Sequence, residues 1–491
     1  SVAEVVGAAP TANPTFTGTA TVNGNVSVDG GTIKLDGNYP VGTQNVALGD
    51  TALDSVQSGG NYNVAVGSSA GTAITTGDDN TFIGYASGDA TTTASGNTAV
   101  GSSAFSTNTT GGDNVAIGEA ALLFSTTASG NTAVGNSALR QNTTASNNTA
   151  VGYQAGYNNT TGVNTFVGAY VGGVNTTGTA NTGVGGEVSG SYTTLRFNTT
   201  GSYNSAFGIG ALAGNTTASN NTAVGYQAGY SNTTGSRNVA IGDVALQLNT
   251  TASRNVAIGR SSLQNLNTTG DTYNVAVGYN ALALTTTGQY NTALGASALV
   301  SNTTASNNTA VGYQAGYSFT TGGYSTVMGY QAAQNATAGG TVAIGHSSAK
   351  NNTGAGITAV GSNALTTNTS GTSSTGIGTN ALNDNTTGSN NVALGRDALY
   401  NNTTADANTA VGYQAGYSNT TGQPITATGY FTLNQNTTGT HNNAYGYRAM
   451  RLNTTGNYNT AVGSDALYSN TTTDFNTATG YQALYNSTGG Y

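Results

Sequence analysis

The sequence predicts an all-β fold, a parallel β-solenoid or β-roll of about 26 coils. A unit of about 17 residues, N-T-A-V-G-Y-Q-A-L-x-x-N-T-T-G-x-x, recurs from residue 45 almost to residue 491. Within each unit the apolar residues before the glycine alternate with a period of two, which is typical of strands. A unit this short has no room for a crossover helix, so we expect short strands joined by turns and stacked coil on coil.

A glycine closes the apolar run of each unit and marks its phase. Because the apolar residues keep fixed offsets from this glycine, the repeat favours an ordered stack over a disordered low-complexity chain. The first regular copies of this glycine are Gly67, Gly84, Gly101, Gly118, Gly135 and Gly152.

The residue before each glycine is usually Val or Ile, and we expect it to form the interior of the coil. These predicted core residues are Val66, Ile83, Val100, Ile117, Val134, Val151, Val224, Ile241, Ile258 and Val311. The alanine two places before the glycine should then face outwards, where a row of small apolar side chains suggests contact with another chain. The pattern therefore predicts an intertwined or side-by-side homotrimer, with a thicker monomeric solenoid as the alternative.

The first 44 residues differ from the rod predicted for residues 45–491. Three of the four prolines lie there, and Asn23-Gly24 between alternating residues is a hairpin signal. We expect residues 1–44 to form a β-rich neck for attachment, and a frayed terminus is the alternative.

The composition excludes several functions. With 10 Lys and Arg against 18 Asp and Glu in 491 residues, the chain offers no basic surface for nucleic acid. It has no cysteine and two histidines, so neither a metal site nor a cofactor is expected. No apolar run is long enough for membrane insertion. Because the acidic residues are scattered, we also expect that the protein is not an enzyme.

Two repeated features each leave two interpretations. The Asn-Thr-Thr triplets, such as Asn142 to Thr144, match the glycosylation pattern, but they also suit ladders of Asn side chains between coils. The tyrosines that follow many glycines could contact glycans or could stack on one another along the rod.

The longest interruption of the repeat suggests a binding loop. From Gly185 to Gly208 the spacing is 23 residues in place of 17, and the inserted stretch carries an aromatic and a cationic side chain. Loops that leave a regular scaffold are common places for recognition. The candidate receptor-binding or glycan-binding residues are Tyr192, Leu195, Arg196 and Phe197, and a functionless insertion is the alternative.

The unit resembles two families of fibrous proteins. The motif N-V-A-I-G at 114–118 is similar to the head repeats of trimeric autotransporter adhesins, which are trimers of β-rolls. The threonine-rich segment 13–26 resembles segments of bacteriophage tail fibres. The second resemblance implies a virion component that attaches to a polysaccharide or protein receptor on the host and joins other virion proteins at its N-terminus. The first implies the alternative, a bacterial surface adhesin or extracellular filament subunit.

Overall fold

A computed structural model describes residues 42–186 and 192–487. These residues form 28 short strands and no helix, and 26 of the strands pair in one continuous parallel sheet. The prediction of an all-β parallel solenoid is confirmed, with a sheet that advances through 25 strand-to-strand steps of about 17 residues. The described residues contain no helix suited to crossing a membrane. The predicted neck lies outside the described residues apart from 42–44.

The strands in the first half of the chain are β1 (Val46–Leu48), β2 (Val64–Val66), β3 (Thr81–Ile83), β4 (Thr98–Val100), β5 (Val115–Ile117), β6 (Thr132–Val134), β7 (Thr149–Val151), β8 (Asn164–Val167), β9 (Asn181–Val184), β10 (Ser205–Phe207), β11 (Thr222–Val224), β12 (Val239–Ile241), β13 (Thr251–Ser253) and β14 (Val256–Ile258).

The strands of the second half are β15 (Thr269–Asp271), β16 (Val275–Val277), β17 (Thr292–Leu294), β18 (Thr309–Val311), β19 (Thr326–Met328), β20 (Val342–Ile344), β21 (Thr358–Val360), β22 (Thr375–Ile377), β23 (Val392–Leu394), β24 (Thr409–Val411), β25 (Ile425–Thr428), β26 (Asn442–Tyr445), β27 (Thr460–Val462) and β28 (Thr477–Thr479). Strands β13 and β15 pair apart from the main sheet, where two extra residues enter the repeat.

Equivalent residues of successive coils pair directly. Ala116 of β5, for example, pairs with Ala133 of β6 and Ala99 of β4. Each side chain therefore stacks on its counterpart in the next coil, about 4.8 Å along the rod. This pairing turns every position of the unit into a ladder that runs along the rod.

The strand face that points into the coil is the opposite of the predicted one. Ala65, Ala99 and Ala116 are fully buried, whereas Ile83 and Ile117 are 39% exposed. The prediction that the residue before each glycine forms the core is therefore wrong for a single chain. The predicted core residues all lie on the outer face of the sheet, half-buried or exposed: Val66, Ile83, Val100, Ile117, Val134, Val151, Val224, Ile241, Ile258 and Val311. The alanine face consequently cannot be a contact between chains.

The size of the coil explains this reversal. The large buried side chains come from the turn after each strand, where Leu122 and Leu139 point inwards from four places after the glycine. A strand residue opposite such a leucine has room only for alanine. Where the strand carries Phe166 instead, the turns on both sides place Gly156 and Gly172 against its ring, and a Cβ on Gly172 would lie 2.5 Å from it. Side-chain volumes thus compensate across the interior.

The repeat position requires glycine because of its backbone conformation and because the backbone of the next coil lies close to it. Each copy directly follows its strand, and Gly118 has φ +130°. A Cβ at Gly118 would lie 2.6 Å from the carbonyl carbon and oxygen of Gly135 in the next coil. Because the ladder brings these backbones together in every coil, no larger residue fits there.

Buried asparagines form two ladders inside the rod. In the first, the Asn131 amide N–H and side chain both donate to Oδ1 of Asn114, at 2.9 and 3.1 Å. In the second, formed by the Asn-Thr-Thr triplets, Asn215 Nδ2 donates to Asn198 Oδ1 at 2.7 Å. Asn142, Asn215 and Asn302 are fully buried, so the folded coils hide these amides from glycosylation and favour the ladder interpretation.

Candidate functional site

The inserted residues of the longest coil lie between β9 and the next turn. Leu195 N donates to Ala211 O at 3.1 Å, as Leu139 N does to Ala155 O in a regular coil. Leu195 therefore occupies the usual inward leucine place, four residues after the glycine in a regular coil. The six additional residues therefore precede this turn in the sequence, and residues 187–191 are not described.

The four predicted loop residues have different environments. Leu195 is fully buried in the core, so the prediction that it contacts a receptor is wrong, because its turn position points into the coil. Tyr192 is half-buried, with its ring 5.7 Å from that of Tyr230. Phe197 is 48% exposed, and the Arg196 guanidinium carbon lies 5.3 Å from the centre of its ring. Arg196 and Phe197 are thus the predicted residues that adjoin each other at the surface.

A single glycine interrupts the side-chain ladder that contains Arg196. In each coil, the position that usually holds the inward leucine is followed by a residue at the surface. In four consecutive coils this surface residue is Arg140, Tyr157, Gly173 and Arg196. The pairing is fixed by backbone bonds, since Gly172 N donates to Thr194 O and Asn158 N donates to Gly173 O. Gly173 therefore leaves an empty place between a tyrosine and an arginine, which we call the Gly173 notch.

The Gly173 notch is a cavity of about 290 Å³. Tyr157 and Arg196 stand at its two ends, two coils and so about 10 Å apart along the rod. Gln154, Asn158 and Tyr170 also line it. Two aromatic rings, a guanidinium and two amide side chains thus surround one open space.

The Tyr157 side chain contacts a cation of the preceding coil. Its hydroxyl accepts a hydrogen bond from Arg140 Nη1 at 2.5 Å, and the Arg140 guanidinium carbon lies 5.6 Å from the ring centre. Arg140 belongs to the coil before Tyr157, whereas Gly173 belongs to the coil after it. Tyr157 therefore lies between Arg140 and the notch.

The tyrosine rows elsewhere on the rod are poorer places for a ligand. Tyr413, Tyr430 and Tyr447 stack with centroids 5.2 and 5.5 Å apart and interplanar angles of 20° and 11°. Sugar rings bind to the faces of aromatic rings, and here neighbouring rings cover those faces. These contacts favour the interpretation in which the tyrosines stack on one another.

The described residues hold no cluster of three or more His, Asp or Glu side chains with the geometry of a metal site. The two histidines instead stack on tyrosines, His346 on Tyr330 at 5.5 Å and His441 on Tyr458 at 4.6 Å. Their rings therefore belong to the aromatic rows.

Comparisons with protein-family models and with curated protein sequences give no match. The proposed function therefore rests on the geometry of this protein alone. Sequence reasoning selected Arg196 but missed Tyr157, Gln154 and Gly173. A signal for them was present, because Gly173 stands where the neighbouring units carry arginine or tyrosine.

Proposed function

We propose that the protein is a non-enzymatic structural fibre of a bacteriophage tail that attaches the virion to the host cell surface. The observation that carries this proposal is the uninterrupted ladder of 26 parallel strands. At about 4.8 Å a coil, it makes a rod roughly 120 Å long. Most buried side chains stabilise the stacking of one coil on the next, which suits a stiff spacer better than an enzyme.

The outer face of the sheet is the proposed contact between copies of the chain. One of its rows, the residue before each glycine, is apolar in nearly every coil, and its members Leu48, Leu294 and Met328 are 46%, 48% and 41% exposed. The second row, two residues earlier, consists mainly of Thr and Val, and neither row carries a charge. We call these two rows the apolar stripe.

The apolar stripe is large enough for a stable interface. Two residues wide and 26 strands long, it covers on the order of 1,200 Å². Stable interfaces bury about 800 Å² on each partner, so the area of the stripe is sufficient for one. We therefore keep the homotrimer as part of the proposal and place its central contact at the stripe, in place of the alanine row.

A bacterial surface adhesin or extracellular filament subunit is the second candidate. It is favoured by the N-V-A-I-G unit at 114–118, which resembles the head repeats of trimeric autotransporter adhesins. Such a protein would use the same rod and the same self-association, but it would be anchored to a cell in place of a virion.

Immunogold electron microscopy separates the two candidates. Antibodies raised against the purified chain are applied to phage particles and to uninfected cells from the source culture. Gold on the tails of virions is the result expected for a tail fibre. Gold on uninfected cells, with unlabelled virions, would contradict the tail-fibre proposal and support the adhesin.

A further inference from the structure

We propose that Arg237 of one chain forms an ion pair with Asp243 of the next chain, and that three such pairs close the homotrimer at the level of β12. This inference rests on the proposed function, since it takes the apolar stripe as the contact between chains and identifies what joins the edges of that contact. It follows from the order of residues across β12 and from a charge that the described residues leave unpaired.

Two rows of exposed residues border the apolar stripe. In the coil of β12, Arg237 stands two places before the strand and Asp243 two places after it, and both are exposed. The corresponding places after β11 and β16 carry Tyr226 and Tyr279, which are 48% and 51% exposed. We call these two rows the border rows. Because tyrosine and arginine are enriched in protein interfaces, the border rows here have the composition of an interface.

The width of the stripe with its border rows suits three chains. Six residue steps from Arg237 to Asp243 correspond to about 15–20 Å along the strand. Three flat faces of this width enclose a centre about 4–6 Å from each face, which is close to half of the roughly 10 Å between packed sheets. Four such faces would leave an open channel. In a parallel ring of three, the residue after each strand meets the residue before the same strand of the next chain.

Arg237 is an exposed cation without a partner among the described residues. The pairing of β12 with β14 places Arg254 one coil beyond Arg237, about 4.8 Å along the rod. Arg254 pairs with Asp271 at 2.9 Å, whereas the Arg237 guanidinium has no hydrogen bond or ion pair with another described residue. Because the two stacked arginines repel each other, a carboxylate beside Arg237 would be stabilising.

Asp243 can supply this carboxylate from the neighbouring chain. It contacts Arg260 Nε of its own chain at 3.2 Å, yet 46% of its side chain is exposed. An ionised carboxylate accepts several hydrogen bonds, and a guanidinium can donate two of them in parallel. At the next level the border rows carry Arg254 and Arg260, but each has an aspartate of its own chain. The attractive pair between chains therefore lies at the level of β12.

The coil of β5 provides the opposite case. Its border residues are Asp113 and Glu119, both exposed, so the same ring brings two carboxylates beside each other. Salt screens this repulsion between exposed groups. Asp113→Arg would turn the contact into an attractive one, and it provides a gain that can be compared with the loss expected at β12.

Disulfide trapping tests the contact directly, because the chain contains no cysteine. In Arg237→Cys/Asp243→Cys, the extended strand holds the two positions of one chain farther apart than the roughly 7 Å that a disulfide can span. Oxidation should therefore give covalent dimers and trimers on a denaturing, non-reducing gel. Each single variant should remain a monomer on that gel. The offset control Arg237→Cys/Tyr279→Cys should do so too, because its second site lies two coils, about 10 Å, away along the rod.

Two results of the trapping experiment would overturn the proposal. One is a double variant that has the native mass of three chains under reducing conditions but forms no cross-link on oxidation. The other is a cross-link in a single variant or in the offset control as strong as that in the double variant, because unlike border rows would then not meet in register.

Charge exchange measures how much the pair contributes. By sedimentation equilibrium, Arg237→Asp should raise the dissociation constant of the trimer at least about tenfold, because each ion pair becomes a repulsion. Arg237→Asp/Asp243→Arg should restore most of the affinity, and Asp113→Arg should tighten association. A double variant as weak as Arg237→Asp would contradict the pairing.

Failure of the contact and failure of the proposed function are distinguishable. A native mass of three chains without the disulfide cross-link means that the border contact is wrong and that the trimer stands. A cross-linked trimer whose antibodies label neither virions nor cells means that the contact is right and that the attachment proposal is wrong. A native mass of one chain contradicts both the contact and the trimer.

Discussion

The coils of β5 and β6 and the coils on either side of Gly173 share one unit but differ in what their side chains contact. In the regular coils, the buried asparagine, the leucine and the glycine of one coil each lie beside their counterparts in the next. Around Gly173 the surface ladder lacks one member, and the next coil is six residues longer. The regular coils stabilise the rod, and the irregular pair provides an opening.

This difference indicates where function can reside on a repeat protein. A position that stacks on an identical neighbour has no free face for a ligand, as the tyrosine rows illustrate. A position whose neighbour is missing exposes the adjacent side chains on both sides. Between Tyr157 and Arg196, Gly173 supplies no side chain, and the notch lies there.

The largest contrast is expected from one substitution made in both regions. Gly118→Ala places a Cβ 2.6 Å from the backbone of Gly135 at a φ of +130°, so we expect a loss of about 3 kcal/mol or more. Gly173→Ala meets no such contact and should change stability by less than about 1 kcal/mol. Urea unfolding followed by circular dichroism measures both.

Similar losses of stability from both substitutions would contradict this difference between the two regions. They would mean that Gly173 is also required by the backbone, so that the notch would follow from folding alone. A neutral Gly118→Ala would contradict the close approach of successive coils.

The asparagine ladder should give the next largest effect. Asn131 Oδ1 accepts hydrogen bonds from the amide and side chain of Asn148, at 2.9 and 3.1 Å. Asn131→Ala leaves the buried Asn148 backbone N–H without a partner, whereas Asn148 Nδ2 keeps Ala145 O and Ser146 O at 3.4 Å; we expect a cost of about 2 kcal/mol. Asn158→Ala, at the half-buried wall of the notch, should cost less than about 0.5 kcal/mol.

Hydrogen exchange distinguishes the two asparagine variants by location. Asn131→Ala should speed exchange in the coils of β6 and β7 and leave β8 onwards little changed. If Asn158→Ala destabilises the rod as much as Asn131→Ala does, the distinction between stacking positions and notch positions is wrong.

Much of the fold is predictable from the sequence because the repeat glycine sets the phase. The period of the repeat predicts the strands, their parallel pairing and the ladders of Asn side chains, which include Asn142 and Asn215. The direction of the side chains was not predictable from alternation alone, since Ala116 and Ile117 alternate equally well in either sense. The volume enclosed by one coil determines which of these two side chains points inwards, because Leu122 from the turn already fills that volume.

The candidate site was predicted in part. The irregular spacing before Gly208 identified Arg196 and Phe197, but counting along the chain placed Leu195 in the same loop. The aligned coils show Leu195 in the core ladder instead. Tyr157 was missed because its position beside the notch depends on Gly173 in the next coil.

The left-handed corners should behave alike in both regions. Ala180 directly before β9, one coil after Gly173, and Ala407 directly before β24 both have φ 55°, and Gly130 occupies the equivalent place with φ 67°. A left-handed alanine costs about 1 kcal/mol, and part of this is offset by the greater entropy loss of glycine. Ala180→Gly and Ala407→Gly should each stabilise by about 0.5 kcal/mol in urea unfolding. Opposite signs would show that the corners differ.

The smallest expected effect concerns pH. Burial raises the pKa of Asp384 above its ordinary value of 3.8. The folded chain then binds this proton more tightly than the unfolded chain, so the contribution of Asp384 to stability falls as pH rises above 3.8. Asp384→Asn should therefore raise the melting temperature slightly at pH 7 and have less effect near pH 4. The reverse trend would contradict burial as the cause.

Multi-angle light scattering after size exclusion gives the native mass of the intact chain. This mass shows whether a rod with its alanines inside covers its apolar stripe with copies of itself. We expect a mass three times the 48.5 kDa of one chain. A mass of 48.5 kDa would rule out the trimer, because the stripe would then be exposed to solvent along the whole rod.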